Sequence, residues 1–351
     1  MMDNIPGTAP ISTALIGFGL SGRFFHAPFL KTNPGFRVTA VMQRHGQDAQ
    51  HMFPQAQLFR DIDMLLQHGN AELIIITTPN DTHAELAMKA LKARKHVVIE
   101  KPVTLRASEM GELMAYAEKQ HLLLVPFHNR RFDSGFRTLQ QVVQHGMIGE
   151  IVEACFQFNR WRPQPRSHWR EQALPGSGIL YDLGPHLIDH ALCLFGKPRW
   201  LTAYLGQQRP GALVEDAFDI WLAYEKRTVK LHAGMLVSDP APRYVLRGTQ
   251  GAFVKYSEDP QEALLRQGHL PNIPEWGVEP PEAWGILYSN PTTPVPFPSL
   301  RGDYGLFYRQ LHQAIRHQQA PPVSARDGYD TIRLIELAME SHQRKQWLPF
   351  S

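Results

Sequence analysis

The stretch Gly17-Phe18-Gly19-Leu20-Ser21-Gly22 follows the apolar residues Ala14-Leu15-Ile16, and this G-x-G-x-x-G turn decides the fold of the first half of the chain. Such a turn between a strand and a helix is typical of sheets that bind dinucleotides. Gly17 permits the tight turn, Gly19 leaves room for a pyrophosphate beside the backbone, and Gly22 lets the helix pack against the strand. The N–H groups at the start of that helix attract an anion. We therefore expect all six residues to contact a dinucleotide; the alternative is a structural turn without a ligand.

Strands and helices alternate through roughly the first third of the chain. The predicted strands are residues 13–16, 36–42, 57–59, 73–76, 97–100 and 122–125. The predicted helices are residues 22–31, 62–68, 83–93 and 108–120, with Ser108 as the N-cap of the last one. Residues 73–76 and 97–99 are apolar at successive positions, which is typical of strands covered on both faces. The pattern predicts an α/β fold that begins with a doubly wound parallel Rossmann sheet.

The pattern changes after Gly149. Polar and apolar residues alternate over residues 151–160, 200–205, 216–224, 228–236, 244–247 and 252–256. A helix is predicted at 181–195, residues 259–298 are interpreted as a long irregular segment, and helices return at 304–317 and 329–344. We predict a Rossmann domain of residues 1–125 and an α+β domain of residues 126–351 with a large open, mainly antiparallel sheet. The last helix can pack back on the Rossmann domain.

Composition excludes several classes of protein. The chain has 351 residues and a formal net charge of +3, with its lysines and arginines scattered, which argues against binding to nucleic acid or to a membrane surface. No apolar run approaches the roughly 20 residues that cross a bilayer, and Met1 to Ile11 lacks the pattern of a signal peptide. The only two cysteines, Cys155 and Cys193, form no C-x-x-C pair, which favours a reducing compartment. We therefore expect a cytoplasmic protein.

Thr77-Thr78-Pro79-Asn80 stands at the end of a predicted strand, at the edge where doubly wound sheets bind ligands. Pro79 gives the chain an extended exit from the strand, and Asn80 can hydrogen-bond a ribose or an amide. We include this tetrapeptide and His83 in the predicted cofactor site. The alternative is an ordinary turn from strand to helix, in which Thr82 caps the next helix.

Glu100-Lys101-Pro102 ends a buried strand at the same edge of the sheet. Lys101 is therefore expected to point toward the nicotinamide end of a bound dinucleotide, and Pro102 biases it toward an extended conformation. A lysine at this position can hold a substrate hydroxyl and favour its ionisation during hydride loss. We assign Glu100 and Lys101 to the cofactor site and Lys101 also to catalysis; the alternative is a lysine that reaches solvent.

The stretch Tyr181-Asp182-Leu183-Gly184-Pro185-His186-Leu187-Ile188-Asp189-His190 carries a second candidate catalytic group. Asp182 and His186 are four residues apart and share one helical face, where a carboxylate favours a protonated imidazole. Two interpretations compete with this acid–base pair. Asp182, His186 and His190 could be three zinc ligands, or His190 could be a residue of the helix surface. We favour the pair without a metal, because a hydride enzyme with Lys101 needs no metal to polarise an oxygen.

The end of the second strand indicates which nicotinamide cofactor is used. Sites specific for NAD carry Asp or Glu at this position to bind the ribose 2′-OH. Here the strand runs into Gln43-Arg44-His45, where no acid is present and Arg44 can pair with a 2′-phosphate. We therefore favour NADP(H), although Asp48 slightly farther along keeps NAD(H) possible. The alternative for Arg44 is a solvent-exposed arginine.

Three further segments supply candidate contacts. Asn129, in His128-Asn129-Arg130-Arg131 near the join between the domains, is assigned to the cofactor site. Arg162 in Arg160-Trp161-Arg162 and Trp169 in His168-Trp169-Arg170 are candidates for substrate contact, because arginine and tryptophan together suit a polar, sugar-like substrate. These residue types are equally common at interfaces.

The order G-x-G-x-x-G, T-P-N, E-K-P and Y-D-L-G-P-H-L-I-D resembles the glucose-fructose oxidoreductase, inositol 2-dehydrogenase and rhizopine catabolism (Gfo/Idh/MocA) family over nearly the whole chain. The resemblance implies an N-terminal Rossmann domain and a C-terminal domain whose open sheet often forms oligomer contacts, so we expect a homodimer or a higher homo-oligomer. It identifies Lys101, Asp182 and His186 as the catalytic group and gives His190 no role.

We therefore predict an NAD(P)-dependent oxidoreductase that transfers hydride between a nicotinamide and a sugar, polyol or related hydroxyl or carbonyl compound. The predicted partners are this small molecule and a second copy of the chain. The alternative is a non-catalytic regulator of the same fold that senses the dinucleotide, and a zinc hydrolase ranks third.

Overall fold

Strands that are apolar on both faces form the first sheet. The computed structural model describes residues 9–289 and 293–350. The strands are β1 (Ile11–Ile16), β2 (Phe36–Met42), β3 (Gln57–Phe59), β4 (Leu73–Ile76), β5 (His96–Ile99) and β6 (Leu124–Pro126). Every residue of β1 and β4 is buried. Within the described residues these six strands pair in parallel in the order β3-β2-β1-β4-β5-β6. This doubly wound order confirms the predicted Rossmann sheet.

Helices connect these strands on both faces of the sheet. They are α1 (Ala27–Thr32), α2 (Asp48–Met52), α3 (Ile62–His68), α4 (His83–Lys92) and α5 (Ala107–Lys119). The single helix predicted over residues 22–31 is divided, because a π-helical turn at Gly22–His26 precedes α1. The short α2 offers too few residues for a helical period to be recognised.

The start of α5 differs from the prediction that Ser108 caps it. The helix begins at Ala107, and Arg106 occupies the N-cap position. The carboxylate of Glu109 accepts the backbone N–H groups of Leu105 and Arg106, each at 3.2 Å. The prediction for Ser108 is wrong because Glu109 satisfies the free N–H groups from inside the first turn.

A second, nine-stranded sheet occupies most of the remaining described chain. Its strands are β7 (Ile151–Gln157), β8 (Trp200–Gly206), β9 (Ala217–Ala223), β10 (Thr228–Gly234), β11 (Tyr244–Gly248), β12 (Gly251–Lys255), β13 (Gly285–Ser289), β14 (Thr293–Phe297) and β15 (Leu348–Pro349). Their order is β14-β13-β12-β11-β7-β10-β9-β8-β15 among the residues described. β7 and β10 pair in parallel, and the other neighbours are antiparallel. The predicted large, mainly antiparallel sheet is confirmed.

Residues 259–298 are not the irregular segment that the sequence predicted. They contain a short helix, α8 (Gln261–Arg266), and the strands β13 and β14, which extend the sheet. The helices α6 and α7 come earlier in the chain and are described below. β14 contains Pro294 and Pro296 and lies at the edge of the sheet. Proline has no N–H to donate and is tolerated on an edge strand, so the prolines concealed a real strand.

Helix α6 (Ser134–Gln144) links the two sheets, and α7 (Ile179–Phe195) connects β7 to β8 within the second sheet. α7 packs on the second sheet, with Leu187 and Ile188 fully buried, and its first turns reach the junction between the halves. At the end of the chain, α9 (Gly305–His317) and α10 (Ala325–Arg344) return to the first half. Phe307 of α9 packs edge-on against Phe127, and Glu336 of α10 accepts the backbone N–H of Ala107 at 2.9 Å.

No helix within the described residues combines the length and the apolar composition that a bilayer crossing requires.

Candidate active site

The carboxyl ends of β1, β4 and β5 open into a cavity of about 740 Å³ that also contacts the second half of the chain. Most predicted site residues line this cavity: Gly19, Leu20, Ser21, Thr77, Thr78, Pro79, Asn80, Glu100, Lys101, Asn129, Arg162, Trp169, Asp182 and His186. The predicted residues Gly17, Phe18, Gly22, Arg44 and His83, all within the described part of the chain, lie outside its lining. The structure thus brings motifs from distant parts of the sequence to one place.

The glycine turn has the geometry that its sequence predicts. Gly17 has a φ of +96°, and its carbonyl oxygen accepts a hydrogen bond from the hydroxyl of Thr77 at 2.9 Å. A Cβ on Gly22 would lie 2.7 Å from the carbonyl oxygen of Gly17, so this position requires glycine for close packing. A Cβ on Gly19 would meet nothing within 4 Å. The turn therefore leaves open space at Gly19, which fits a pyrophosphate at the helix N-terminus.

Glu100 connects the glycine turn to the end of β5. Its carboxylate accepts hydrogen bonds from the hydroxyl of Ser21 and, at 3.0 Å, from the backbone N–H of Lys101. The Nε2 atom of His26 lies 3.2 Å from the same carboxylate, and Tyr308 contacts the other ring nitrogen at 2.9 Å. Burial opposes ionisation, but His26, Ser21 and Lys101 outweigh it, so the pKa of Glu100 lies below its ordinary value. Glu100 thus holds the turn and the strand end together.

Asn80 and Thr82 use their side chains within the protein. The Nδ2 atom of Asn80 donates to the carbonyl oxygen of Gly176 at 2.9 Å, which ties the first half to the loop before α7. Thr82 stands at the N-cap position of α4 but makes no side-chain capping bond. Its hydroxyl donates to the carbonyl oxygen of Pro79 at 2.7 Å instead. The capping alternative for Thr82 is therefore wrong.

His83 lies behind the cavity wall. Its Nδ1 atom is 2.8 Å from the carbonyl oxygen of Pro102, and its Nε2 atom is 2.9 Å from that of Thr78. Burial lowers the pKa of this imidazole. In the structure His83 joins the turn after β4 to the turn after β5, so it supports the cavity from outside.

Lys101 and Asp182 meet across the junction of the two halves. The ammonium Nζ of Lys101 donates to the backbone carbonyl oxygen of Asp182 at 2.6 Å and to its carboxylate Oδ1 at 3.3 Å. Arg160 Nη1 lies 3.4 Å from Oδ2 of the same carboxylate, and Arg170 Nε lies 3.4 Å from Oδ1. One carboxylate therefore serves three cations.

This charge arrangement shifts the pKa values of both Asp182 and Lys101. Burial raises the pKa of Asp182, but Lys101, Arg170 and Arg160 together outweigh it and hold the pKa well below its usual range. Burial and the neighbouring Arg170 lower the pKa of Lys101, while the Asp182 carboxylate opposes the shift. Asp182 is therefore ionised at neutral pH, and Lys101 loses its proton more readily than an exposed lysine.

His186 lines the cavity but does not contact the carboxylate of Asp182, although the helical spacing predicted that the two groups lie side by side. Within the described residues its Nδ1 atom is buried and has no hydrogen-bond partner. Burial lowers its pKa well below the ordinary value, and the nearby cations Lys101 and Arg130 add to the shift. The prediction that Asp182 favours a protonated His186 is therefore wrong, because Asp182 faces the lysine and two arginines. His186 is a neutral imidazole at neutral pH.

His190 is neither a surface residue nor part of a metal site. It is 1% exposed, its ring stacks on Phe136 with centroids 3.9 Å apart, and its Nε2 atom lies 3.1 Å from the carbonyl oxygen of Arg130. Among the described residues, no group of three or more His, Cys, Asp or Glu side chains could hold a metal ion. The alternative in which Asp182, His186 and His190 bind zinc is not supported.

Arg44 lies exposed at the tip of β2. The turn beside it is held by Arg60, whose Nη1 donates to the carbonyl oxygen of Gln43 at 2.5 Å. Asp48 pairs with Arg23 at 3.7 Å. The acid that kept NAD(H) possible thus has a partner, but it stays half-exposed and accepts a hydrogen bond from the Gln43 side chain at 3.3 Å, so the tip presents both an arginine and a carboxylate.

The remaining candidates lie on the cavity wall formed by the second half. Arg162 and Trp169 line it, and the guanidinium of Arg170 covers the ring of Trp169 at 4.5 Å from its centroid. The sequence identified Arg160 and Arg170 only as parts of polar motifs. Their contact with Asp182 could not be read from spacing, because the loop path brings them to the helix.

Comparison with known proteins agrees with this fold. The description "Oxidoreductase family, NAD-binding Rossmann fold" matches residues 11–128, and "Oxidoreductase family, C-terminal alpha/beta domain" matches residues 140–350. The chain is 37% identical over 340 residues to scyllo-inositol 2-dehydrogenase (NADP(+)) IolW of Bacillus subtilis, across 96% of this chain and 95% of that protein. It is 38% identical over 341 residues to the uncharacterised oxidoreductase YdgJ of Escherichia coli, across 96% and 98%. The structure of yvaA from Bacillus subtilis matches with a TM-score of 0.95 at 35% identity, across 98% of this chain and 99% of that one.

Proposed function

The chain belongs to the Gfo/Idh/MocA oxidoreductase family, and on that basis we propose that it is a dehydrogenase that prefers NADP(H) and acts on a sugar, a polyol or a related hydroxyl or carbonyl compound. The observation that carries this proposal is the meeting of Lys101, Asp182 and His186 in one cavity that adjoins the glycine turn. A charged amine and a neutral imidazole beside a dinucleotide site can supply the charge stabilisation and the proton transfer that hydride exchange at a carbon–oxygen bond needs.

The open space at Gly19 supports a dinucleotide at this edge of the sheet. In the proposal the turn from Gly17 to Gly22 holds the pyrophosphate, while the segment from Thr77 to Asn80, with Glu100 and Asn129, borders the nicotinamide end. Exposed Arg44 binds a 2′-phosphate, in line with the cofactor in the name of IolW. When bound, the nicotinamide accepts or supplies the hydride.

His186 and Lys101 manage the proton and the charge on the substrate oxygen. In the oxidation direction the neutral imidazole of His186 accepts the hydroxyl proton, and we assign this to Nε2 because Nδ1 is buried. Lys101 directs two hydrogen bonds to Asp182 and has a third N–H for the substrate oxygen. Its positive charge stabilises that oxygen as it becomes negative. Asp182 positions the lysine rather than the histidine.

Reduction of NADP+ by a panel of sugars and polyols tests this function. Wild-type protein is expected to reduce NADP+ with at least one member of the panel and to prefer NADP+ over NAD+. A protein that binds the dinucleotide but reduces it with no member of the panel would support the non-catalytic regulator instead. Preference for NAD+ would contradict the assignment of Arg44 to the 2′-phosphate, but it would not contradict the dehydrogenase activity.

A second copy of the chain is the proposed partner of the outer sheet face. Trp200, Tyr204 and Trp221 on β8 and β9 are 48%, 55% and 41% exposed. Three large aromatic side chains on one open face favour association with another surface. We expect a dimer in sedimentation analysis and a monomer after Trp221→Glu; an unchanged mass for this variant would remove the sheet face as the contact.

A further inference from the structure

The wall of the cavity opposite the Rossmann sheet is strongly cationic. Arg160, Arg162, Arg166 and Arg170 all line it, and Lys101 faces them from the strand end. Asp182 is the carboxylate that pairs with Lys101, Arg160 and Arg170, at 3.3 to 3.4 Å. Since one negative charge cannot compensate this many positive ones, the region attracts anions.

Two other carboxylates of the wall are used by a buried arginine. Arg209 is 5% exposed, and its guanidinium pairs with Asp216 at 2.8 Å and with Glu171 at 3.0 Å. Its Nη1 atom also lies 3.3 Å from each of the carbonyl oxygens of Arg162 and Gln164. Arg209 therefore offsets one of these two negative charges and fixes the backbone of the loop that carries Arg162.

The same frame holds Arg166. The carboxylate of Glu171 that pairs with Arg209 also accepts the backbone N–H of Arg166 at 2.9 Å. The loop is thus anchored at both arginines through their backbone, while their side chains border the cavity. A fixed backbone with charged side chains directed at a cavity is the arrangement of a prepared binding site.

The remaining acids of the lining, Glu100, Glu262 and Glu215, are engaged elsewhere, and the contacts of Glu100 with Ser21, His26 and the backbone N–H of Lys101 are described above. Glu262 pairs with Arg130 and with Arg266, each at 2.8 Å. Glu215 lies against the first turn of α7, where a Cβ on Gly178 would collide with its carboxylate. A carboxylate at a helix N-terminus is used by the free N–H groups there. Neither acid pairs with Arg162 or Arg166 in the described part of the chain.

Within the described residues, the guanidinium groups of Arg162 and Arg166 form no ion pair with a carboxylate. Burial and, after it, the neighbouring Arg160 and Arg166 lower the pKa of Arg162, while the more weakly acting carboxylates of Asp182 and Glu171 oppose the shift. An arginine in a partly enclosed cavity gains most when a carboxylate or a phosphate binds it through two hydrogen bonds.

We infer that the substrate is an anionic sugar or polyol, and that Arg162 and Arg166 bind its carboxylate or phosphate while the reacting carbon lies near Lys101 and His186. This inference rests on the proposed function and narrows its substrate class. It departs from the neutral polyol in the name of the relative IolW.

Calorimetric titration of the protein saturated with NADPH tests the inference, because the reduced cofactor prevents oxidation of the ligand. The probes are methyl α-D-glucopyranoside, its 6-carboxylate (methyl α-D-glucuronopyranoside) and glucose 6-phosphate. We expect at least one anionic probe to bind about tenfold or more tightly than the neutral glucoside, and less tightly at high salt. The carboxylate and the phosphate distinguish the two kinds of anion.

The variants Arg162→Gln and Arg166→Gln locate the effect. Each is expected to reduce the preference for the anion to about twofold or less while leaving NADPH affinity unchanged. Arg37→Gln, at an exposed arginine of β2 that does not line the cavity, is the matched control and should keep the preference. Equal affinity for charged and neutral probes, a preference that survives both variants, or no measurable binding of either anion would overturn the inference.

The outcome also separates this inference from the proposed function. Turnover of neutral sugars with no anion preference would leave the dehydrogenase in place and remove the anion site. Anion binding that depends on Arg162 and Arg166, without reduction of NADP+ by any anionic probe or by any member of the sugar and polyol panel, would keep the site and contradict the dehydrogenase.

Discussion

His186 follows Asp182 by one helical turn, but the Asp182 carboxylate contacts Lys101, Arg160 and Arg170 instead of the imidazole. The carboxylate goes to the cations because they carry a full positive charge, whereas the buried imidazole is neutral. The lysine and the histidine are therefore separate groups in the structure: Lys101 is held by an acid, and the imidazole of His186 is not.

A neutral His186 predicts the acid side of the pH profile. The neutral, basic form of His186 is present above the pKa that this imidazole has in the folded protein, and it is lost as the pH falls through that pKa. Burial places the pKa well below 6.5. We expect kcat/KM for oxidation to remain undiminished at pH 6.5 and to fall only at lower pH. His186→Gln should lower kcat by about a hundredfold or more with unchanged NADP+ affinity. A variant that keeps more than half of kcat would contradict the role of His186.

The pair of Lys101 and Asp182 predicts the alkaline side. Burial lowers the pKa of Lys101, and the Asp182 carboxylate opposes this shift. Asp182→Asn removes that opposition, so the lysine should lose its proton at lower pH and the alkaline limb of the kcat profile should move in the same direction. Asp63→Asn, at an exposed acid that pairs with Lys89, is the control. An alkaline limb that stays in place in Asp182→Asn would show that the lysine charge does not control the rate.

Substitution by alanine should have opposite consequences at Gly19 and at Gly17: it should weaken dinucleotide binding at the first position and destabilise the fold at the second. A methyl group on Gly19 meets no atom within 4 Å, so Gly19→Ala should leave the free energy of unfolding unchanged. The methyl would enter the space proposed for the pyrophosphate and weaken dinucleotide binding by about tenfold. Gly17→Ala, at a φ of +96°, should destabilise the fold by about 1–2 kcal/mol. Unchanged dinucleotide affinity in Gly19→Ala would contradict the location of the cofactor.

The ion pair of Arg131 and Asp189 makes the stability of the fold depend on pH. The guanidinium and the carboxylate form two hydrogen bonds at 2.6 and 2.8 Å, and both groups are largely buried. Burial raises the pKa of Asp189, but Arg131 and His128 outweigh it, so the pKa in the folded state is lowered. The pair therefore stabilises the fold above the pKa of the unfolded chain, and this contribution is lost as the pH falls through the folded value.

Asp189→Asn should lower the free energy of unfolding by about 3 kcal/mol at pH 7, because it leaves the buried guanidinium of Arg131 with only the partly exposed carboxylate of Asp327, at 3.2 Å. The difference from wild type, measured by urea unfolding, should shrink below about pH 4. A difference that is the same at pH 7 and at low pH would indicate a packing defect rather than loss of the ion pair.

The sequence predicted the Rossmann half well because its signals are local. Residues 73–76 are apolar at successive positions, and all of them are buried in the structure. Motifs at strand ends share one edge of a parallel sheet, so the convergence of Thr77, Glu100 and Lys101 on one cavity follows from topology. The family resemblance also predicted the second sheet correctly.

The errors occur where side-chain direction depends on distant parts of the chain. Helical spacing placed Asp182 beside His186, but Arg160 and Arg170 arrive from a loop whose path no local pattern gives. His190 is buried because Phe136 of another helix stacks on it. At the sheet edge, the prolines of β14 concealed a strand that lacks the usual propensity.

Transfer of deuterium tests the central claim most directly. NADPH carrying deuterium at both C4 positions of the nicotinamide is incubated with carbonyl derivatives of sugars and polyols, and the reduced product is analysed by mass spectrometry. Our account predicts deuterium on the carbinol carbon with wild-type protein, and transfer about a hundredfold slower or more in Lys101→Met and in His186→Gln. Absence of deuterium from every product, or unchanged transfer in both variants, would contradict it.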